Sequence, residues 1–258
     1  MKRCPFVALV VLILLSPGLF VSGCVAPSTN GEAEAAIIDQ LYSLQPNQAF
    51  IDETAEVLHA FGFEVDVYQG DEITVDFYRG LPAYGYKLII FRAHSGVLTR
   101  EGDSGLIQGT FLFTSEPYSQ TKYISEQLSD QMAVARISEQ HPYVFAIGAK
   151  FVTRSMEGEF PNTVIIMMGC TTLRFGDMGL AFIEKGASAY LGWDASVDLN
   201  YVDGAALDLI SNLCTKGMTV EQAVVRTMTE VGPDPTYNAW LHYYPEESGS
   251  HTIAELIR

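Results

Sequence analysis

The sequence predicts an α/β domain built as a three-layer sandwich, with a mostly parallel sheet between two helical layers. Short apolar runs recur at residues 36–41, 86–91, 163–168 and 189–192, the signature of strands buried on both faces. Segments with helical spacing and helix-ending signals fall between them, which is the order that builds a parallel sheet. Residues 107–115 and 143–153 read as strands of a small antiparallel insertion between the second and third runs.

Taken in order, Ala36–Leu41 is the first strand. Asn47 caps a helix over 48–61, with Ile51, Ala55 and Leu58 on one face and Gly62 at its end. Residues 63–68 (FEVDVY) alternate as a strand does. Tyr86–Phe91 is a buried strand, and His94 follows its end. Ile124, Leu128, Met132 and Ile137 fall at helical spacing inside the insertion. Thr163–Met168 is the next buried strand, with Gly169 and Cys170 at its end. Residues 177–185 form a helix stopped by Gly186, Ala189–Gly192 a strand, and Val202, Ala206, Leu209 and Leu213 a helix to about 215. Thr219 and Gln222 form a capping box for a final helix.

The N-terminus is of another kind. Lys2 and Arg3 precede an apolar stretch, Phe6–Phe20, and then Val21-Ser22-Gly23-Cys24. This layout is that of a secretory signal peptide; the stretch is shorter than the ~20 residues a spanning helix needs. Small residues directly before a cysteine resemble the lipobox of prokaryotic lipoproteins, in which the cysteine is acylated and the chain is cut before it. The expected organisation is a signal peptide over 1–23, a lipidated Cys24 with a flexible tether to residue 35, and one domain over 36–258. The expected location is the outer face of a prokaryotic cell membrane.

Processing would remove Lys2 and Arg3 and no acid, so the formal net charge of −16 becomes −18. So acidic a chain excludes nucleic acid as a partner and makes the lipid, not a basic patch, the membrane contact. Cys4 goes with the signal and Cys24 with the lipid, leaving Cys170 and Cys214. A disulfide between them would abolish any thiolate; otherwise Cys214 reads as a buried spectator within a helix.

Ligands of parallel sheets sit beyond the carboxyl ends of the strands, where His94 and Cys170 stand. A thiol attacks a carbonyl as thiolate, and an imidazole beside it takes that proton and later gives one to the leaving amine. Gly96 and Gly169 would let backbone and substrate approach closely.

LIIFRAHSG (88–96) followed by VIIMMGCTT (164–172) resembles the caspase-like cysteine peptidases, the group of caspases, legumains, clostripain, gingipains and CHAT domains. GLAFIEKGASAYLGWDASVD (179–198) is similar to the CHAT and gingipain segment in which a helix ends at Gly-Ala and a strand leads to Gly-Trp. The resemblance implies a caspase-like endopeptidase with His94 and Cys170 as the catalytic pair and a peptide or protein as substrate. It implies an oxyanion hole from the N–H groups of Cys170 and of the residue after the histidine. That residue is Ser95, with Gly96 one later, where the family has His-Gly. Members that prefer a basic side chain before the cut carry an acid two residues ahead of the cysteine. Met168 stands there, and Asp194 or Asp198 after the next strand would serve instead. Trp193 reads as core or as a wall of the substrate pocket. No cofactor or metal is called for: His242 with Glu246 and Glu247 fits no zinc motif, and Asp71, Glu72 and Asp76 read as a solvated loop. The competing expectation is a binding or scaffold module on the same fold without turnover.

Overall fold

The computed structural model describes residues 33–102 and 105–258. The expected signal peptide, Cys24 and the tether as far as residue 32 lie outside the described residues. The last three tether residues, 33–35, instead open strand β1 (Ala33–Asp39), and Ala35 is fully buried there. Small residues suit a buried strand as well as a linker, so composition alone misplaced this boundary.

From there the chain runs through α1 (Gln48–Phe61), β2 (Phe63–Gln69), α2 (Val75–Gly80), β3 (Leu88–Arg92), β4 (Ser95–Gly102) and β5 (Gly105–Pro117). It continues with α3 (Ile124–Leu128), β6 (Met132–Ala135), β7 (Val144–Gly148), α4 (Ala149–Ser155) and β8 (Val164–Met167). The remaining elements are α5 (Asp177–Glu184), β9 (Ala189–Trp193), α6 (Leu199–Ile210), α7 (Val220–Glu230), β10 (Leu241–Tyr244) and α8 (Ile253–Leu256).

The main sheet has the order β10-β9-β8-β3-β1-β2. All its neighbours pair in parallel except β10, which is antiparallel to β9. Even-numbered side chains of β3 and β8 (Leu88, Ile90, Val164, Ile166) pack with α1, α6 and α7, and odd-numbered ones (Ile89, Phe91, Ile165, Met167) with α2, α4 and α5. Alternation of period two thus serves two helical layers at once, which explains the uninterrupted apolar runs. A second, antiparallel sheet has the order β4-β5-β7-β6. Among the described residues, no helix is long and apolar enough to cross a membrane.

Two expectations change. Residues 143–153 are not one strand: β7 ends at Gly148 and α4 begins, burying Phe151 and Val152 in the core. The helical spacing of Ile124, Leu128, Met132 and Ile137 yields only α3, because Met132 pairs with Ile147 in β6. Tertiary pairing overrides local periodicity in both places.

Candidate active site

β3 and β8 are neighbours, in register from Leu88 opposite Val164 to Phe91 opposite Met167. The pairing runs past both ends, since Met168 N–H donates to Phe91 O at 2.8 Å. Arg92 and Met168 lie on the α1/α6 side of the sheet, and Cys170 packs against the same core layer. His94 and Cys170 thus follow the ends of two adjacent parallel strands. The crossovers that follow β1 and β3 lead in opposite directions, so the switch point where open α/β sheets bind ligands lies between β1 and β3, on the far side of β3 from β8.

Cys170 is partly exposed, and its thiol is free. Val197 N–H points at Sγ from 3.4 Å, and the thiol in turn faces Val197 O at 3.8 Å. The Cys170 carbonyl accepts from Ser95 Oγ at 2.6 Å and Thr171 Oγ1 at 2.7 Å. Thr171 itself adopts a left-handed φ of 57°, and its N–H donates to Ala195 O at 2.8 Å. The cysteine thus sits at a sharp turn tied to both neighbouring strands. The N–H groups of Gly169 and Cys170 have no acceptor among the described residues. Phe113 N–H donates to His94 O at 2.9 Å, a register that turns Ser95 N–H away from β5.

The two glycines differ. A Cβ on Gly169 would stand 2.3 Å from Ser95 Oγ and 2.7 Å from Ala93 O, so glycine is required for the two strand ends to touch. We expect Gly169→Ala to destabilise the fold by about 1–3 kcal/mol, the usual range for overpacking, and to displace Cys170. Thermal unfolding checks this, and an unchanged midpoint would contradict it. Gly96 is not a turn residue: it lies within β4 opposite Phe111, and a Cβ there would approach nothing closer than 3.7 Å. Only Ala93 and His94 separate β3 from β4, so the chain runs from one strand into the next.

His94 is fixed through its backbone. Its N–H donates to Gln40 Oε1 at 3.0 Å, and its ring packs on Phe113 with centroids 6.0 Å apart. Neither ring nitrogen has a hydrogen-bond partner among the described residues, Cys170 included. Burial, with the nearby charges of His141 and Arg92, pushes the imidazole pKa down to about 4 from 6.5. His94 is accordingly neutral at pH 7 and able to accept a proton. Between pH 6.5 and 4 the unfolded chain binds the proton that the folded chain refuses, so stability falls as pH drops through this window. We expect His94→Phe to flatten that slope in urea unfolding at pH 7 and pH 4.5; an equal slope in both proteins would contradict the assignment.

Beneath His94 lies a group the sequence reading missed. Arg92 is fully buried, and its guanidinium grips Asp203 of α6 through Nε (2.8 Å) and Nη2 (2.9 Å) and Asp39 of β1 through Nη1 (2.9 Å). Burial opposes the charge on Arg92, but hydrogen bonds and attraction from the two acids outweigh it and hold the proton on. Burial pushes the Asp39 carboxyl up against the pull of Arg92, and Asp39 Oδ2 has no partner among the described residues. The signal was present in LIIFR, because an arginine ending a strand buried on both faces needs buried counter-ions.

The segment that carries the expected substrate-binding residues passes the thiol, since Val197 N–H reaches Cys170 Sγ and Ala195 O accepts Thr171 N–H. Trp193 is 2% exposed and packs edge-on against Tyr201 at 5.6 Å, so it is core and not a pocket wall. β9 is covered on both faces, which leaves its last residue no route to solvent. Asp194 accepts Trp240 N–H at 2.8 Å and pairs with His242 Nε2 at 3.2 Å. Asp198 caps α6 by accepting the N–H groups of Asn200 (3.0 Å) and Tyr201 (3.3 Å). Both acids have structural partners that sequence spacing did not reveal. Cys214 is buried with a free thiol pushed up to about 12 by desolvation, so no bridge to Cys170 exists. Among the described residues, no group of three or more His, Cys, Asp or Glu is placed to hold a metal ion. No family model matches the chain, and neither does any curated protein.

Proposed function

We propose that the chain is a caspase-like cysteine endopeptidase, exported and held at the outer membrane face by a lipid on Cys24. What supports this reading is that His94 and Cys170 follow two adjacent parallel strands, β3 and β8. Cys170 Sγ attacks the scissile carbonyl carbon while His94 takes the thiol proton. The oxyanion is held by the N–H groups of Cys170 and Ser95. His94 then gives the proton to the departing amine as the C–N bond breaks, leaving a thioester. Water attacks that thioester, His94 takes its proton and returns it to sulfur, and the acid product leaves.

Ser95 contributes more than its N–H: its hydroxyl on the Cys170 carbonyl fixes the turn that presents the thiol. A basic side chain before the cut rests on the net charge of −18 that loss of Lys2 and Arg3 leaves and the steering it gives, since Asp194 and Asp198 have other partners. A second reading, a surface binding module without turnover, is favoured by the missing hydrogen bond between His94 and Cys170. Peptide cleavage by the full chain, absent in Cys170→Ala, separates the two; equal cleavage by both proteins rejects the cysteine mechanism.

A further inference from the structure

The outer face of the small sheet carries two rings among small side chains. Along β5, the side chains of Thr110, Leu112 and Thr114 turn inward: Leu112 joins the core, and the two hydroxyls donate to Thr171 O and Phe145 O. Phe111 and Phe113 point the other way and join neither core layer. Their cross-strand neighbours are minimal. Phe111 faces Gly96 and Gly148, and Phe113 faces Ala146, which in turn faces Ala133. Two rings among glycines and alanines leave a groove of about 240 Å³. Its charged lining residue, Arg136, is engaged over the Tyr143 ring at 4.9 Å.

This groove is continuous with the candidate site. Phe113 is both a groove wall and the ring against which His94 packs. Along β4, Gly96 and Leu98 share the face of Phe111 and Phe113, and His94, opposite Phe113, precedes them in the same phase. The direction of a bound peptide follows from the chemistry. The imidazole that protonates the leaving amine must lie beside that amine, so the residues after the scissile bond pass over His94.

We propose that the groove receives an apolar side chain from the leaving-group side of the cut, giving the enzyme a preference for a large aliphatic residue there. This rests on the peptidase reading and adds the substrate feature it recognises. The test uses the full chain and two internally quenched peptides, identical except for leucine or serine directly after the cut. Filling an apolar pocket with a few carbons changes kcat/KM by about 10–200-fold, so the leucine peptide should be cut at least about 10-fold better. Ala133→Leu and Ala135→Leu, which fill the groove, should bring the ratio towards one while circular dichroism confirms that each variant is folded. Equal rates for the two peptides, or a ratio unmoved in both folded variants, would overturn the proposal and leave the peptidase standing. Failure to cut either peptide, with no labelling of Cys170 by a thiol-directed peptide, would overturn both.

Discussion

Replacing Arg92 with methionine should destabilise the protein by about 3–5 kcal/mol, the cost of removing one partner from a buried charge group. The variant would keep Asp39 and Asp203 almost fully out of water, at 0% and 6% exposure, with no counter-ion between them. A domain holds only about 5–15 kcal/mol in total, so much of the population would unfold on mild heating. The loss should be partly recovered by adding Asp39→Asn and Asp203→Asn, because the penalty comes from unpaired carboxylates and not from lost packing. Urea unfolding of the single and triple variants checks both statements. A loss below about 1 kcal/mol, or no recovery in the triple variant, would mean that the charges find other compensation. The consequence reaches the site. Arg92 pins the ends of β1 and β3 to α6, and Gln40 and His94 are each a residue or two beyond those ends.

The second large effect concerns the reacting pair. Cys170→Ala removes the nucleophile and should abolish peptide cleavage. His94→Ala should lower kcat by about 10²–10⁴-fold, the usual worth of a positioned acid–base group, and leave a slow reaction that rises with pH as thiolate forms unaided. The wild-type profile should instead hold its activity on the acid side towards pH 4, because the His94 pKa lies at about 4. Steady-state rates from pH 4 to pH 9 read out both behaviours. Cleavage by Cys170→Ala, or an unchanged rate in His94→Ala, would contradict these assignments.

The parts of this molecule that were legible in sequence share a cause. A strand buried on both faces needs an unbroken apolar run, so β3 and β8 were visible, and with them the positions of His94 and Cys170 just past their ends. α1 was visible from Asn47 to Gly62 because its cap and its terminating glycine are local signals, and both are present in the structure. What escaped depends on distant partners. β6 exists because Met132–Ala135 finds Val144–Ile147, and α4 because Phe151 and Val152 find a core. Asp198 looked free for substrate until its capping bonds were seen, and Asp194 until His242, 48 positions away, was placed beside it. The Arg92–Asp203 pair spans 111 positions, and only the oddity of a charge in an apolar strand announced it. Gly96 and Gly169 looked equivalent as residues, yet only the second lies where two strand ends press together.

The central claim is that Cys170 is a nucleophile served by His94. It is tested most directly by incubating the full chain with a peptide bearing a thiol-directed warhead and locating the adduct by mass spectrometry. The account predicts one adduct, on Cys170, formed much more slowly in His94→Ala and not at all in Cys170→Ala, with buried Cys214 unmodified throughout. Equal labelling of all three proteins, or an adduct confined to Cys214, would contradict it.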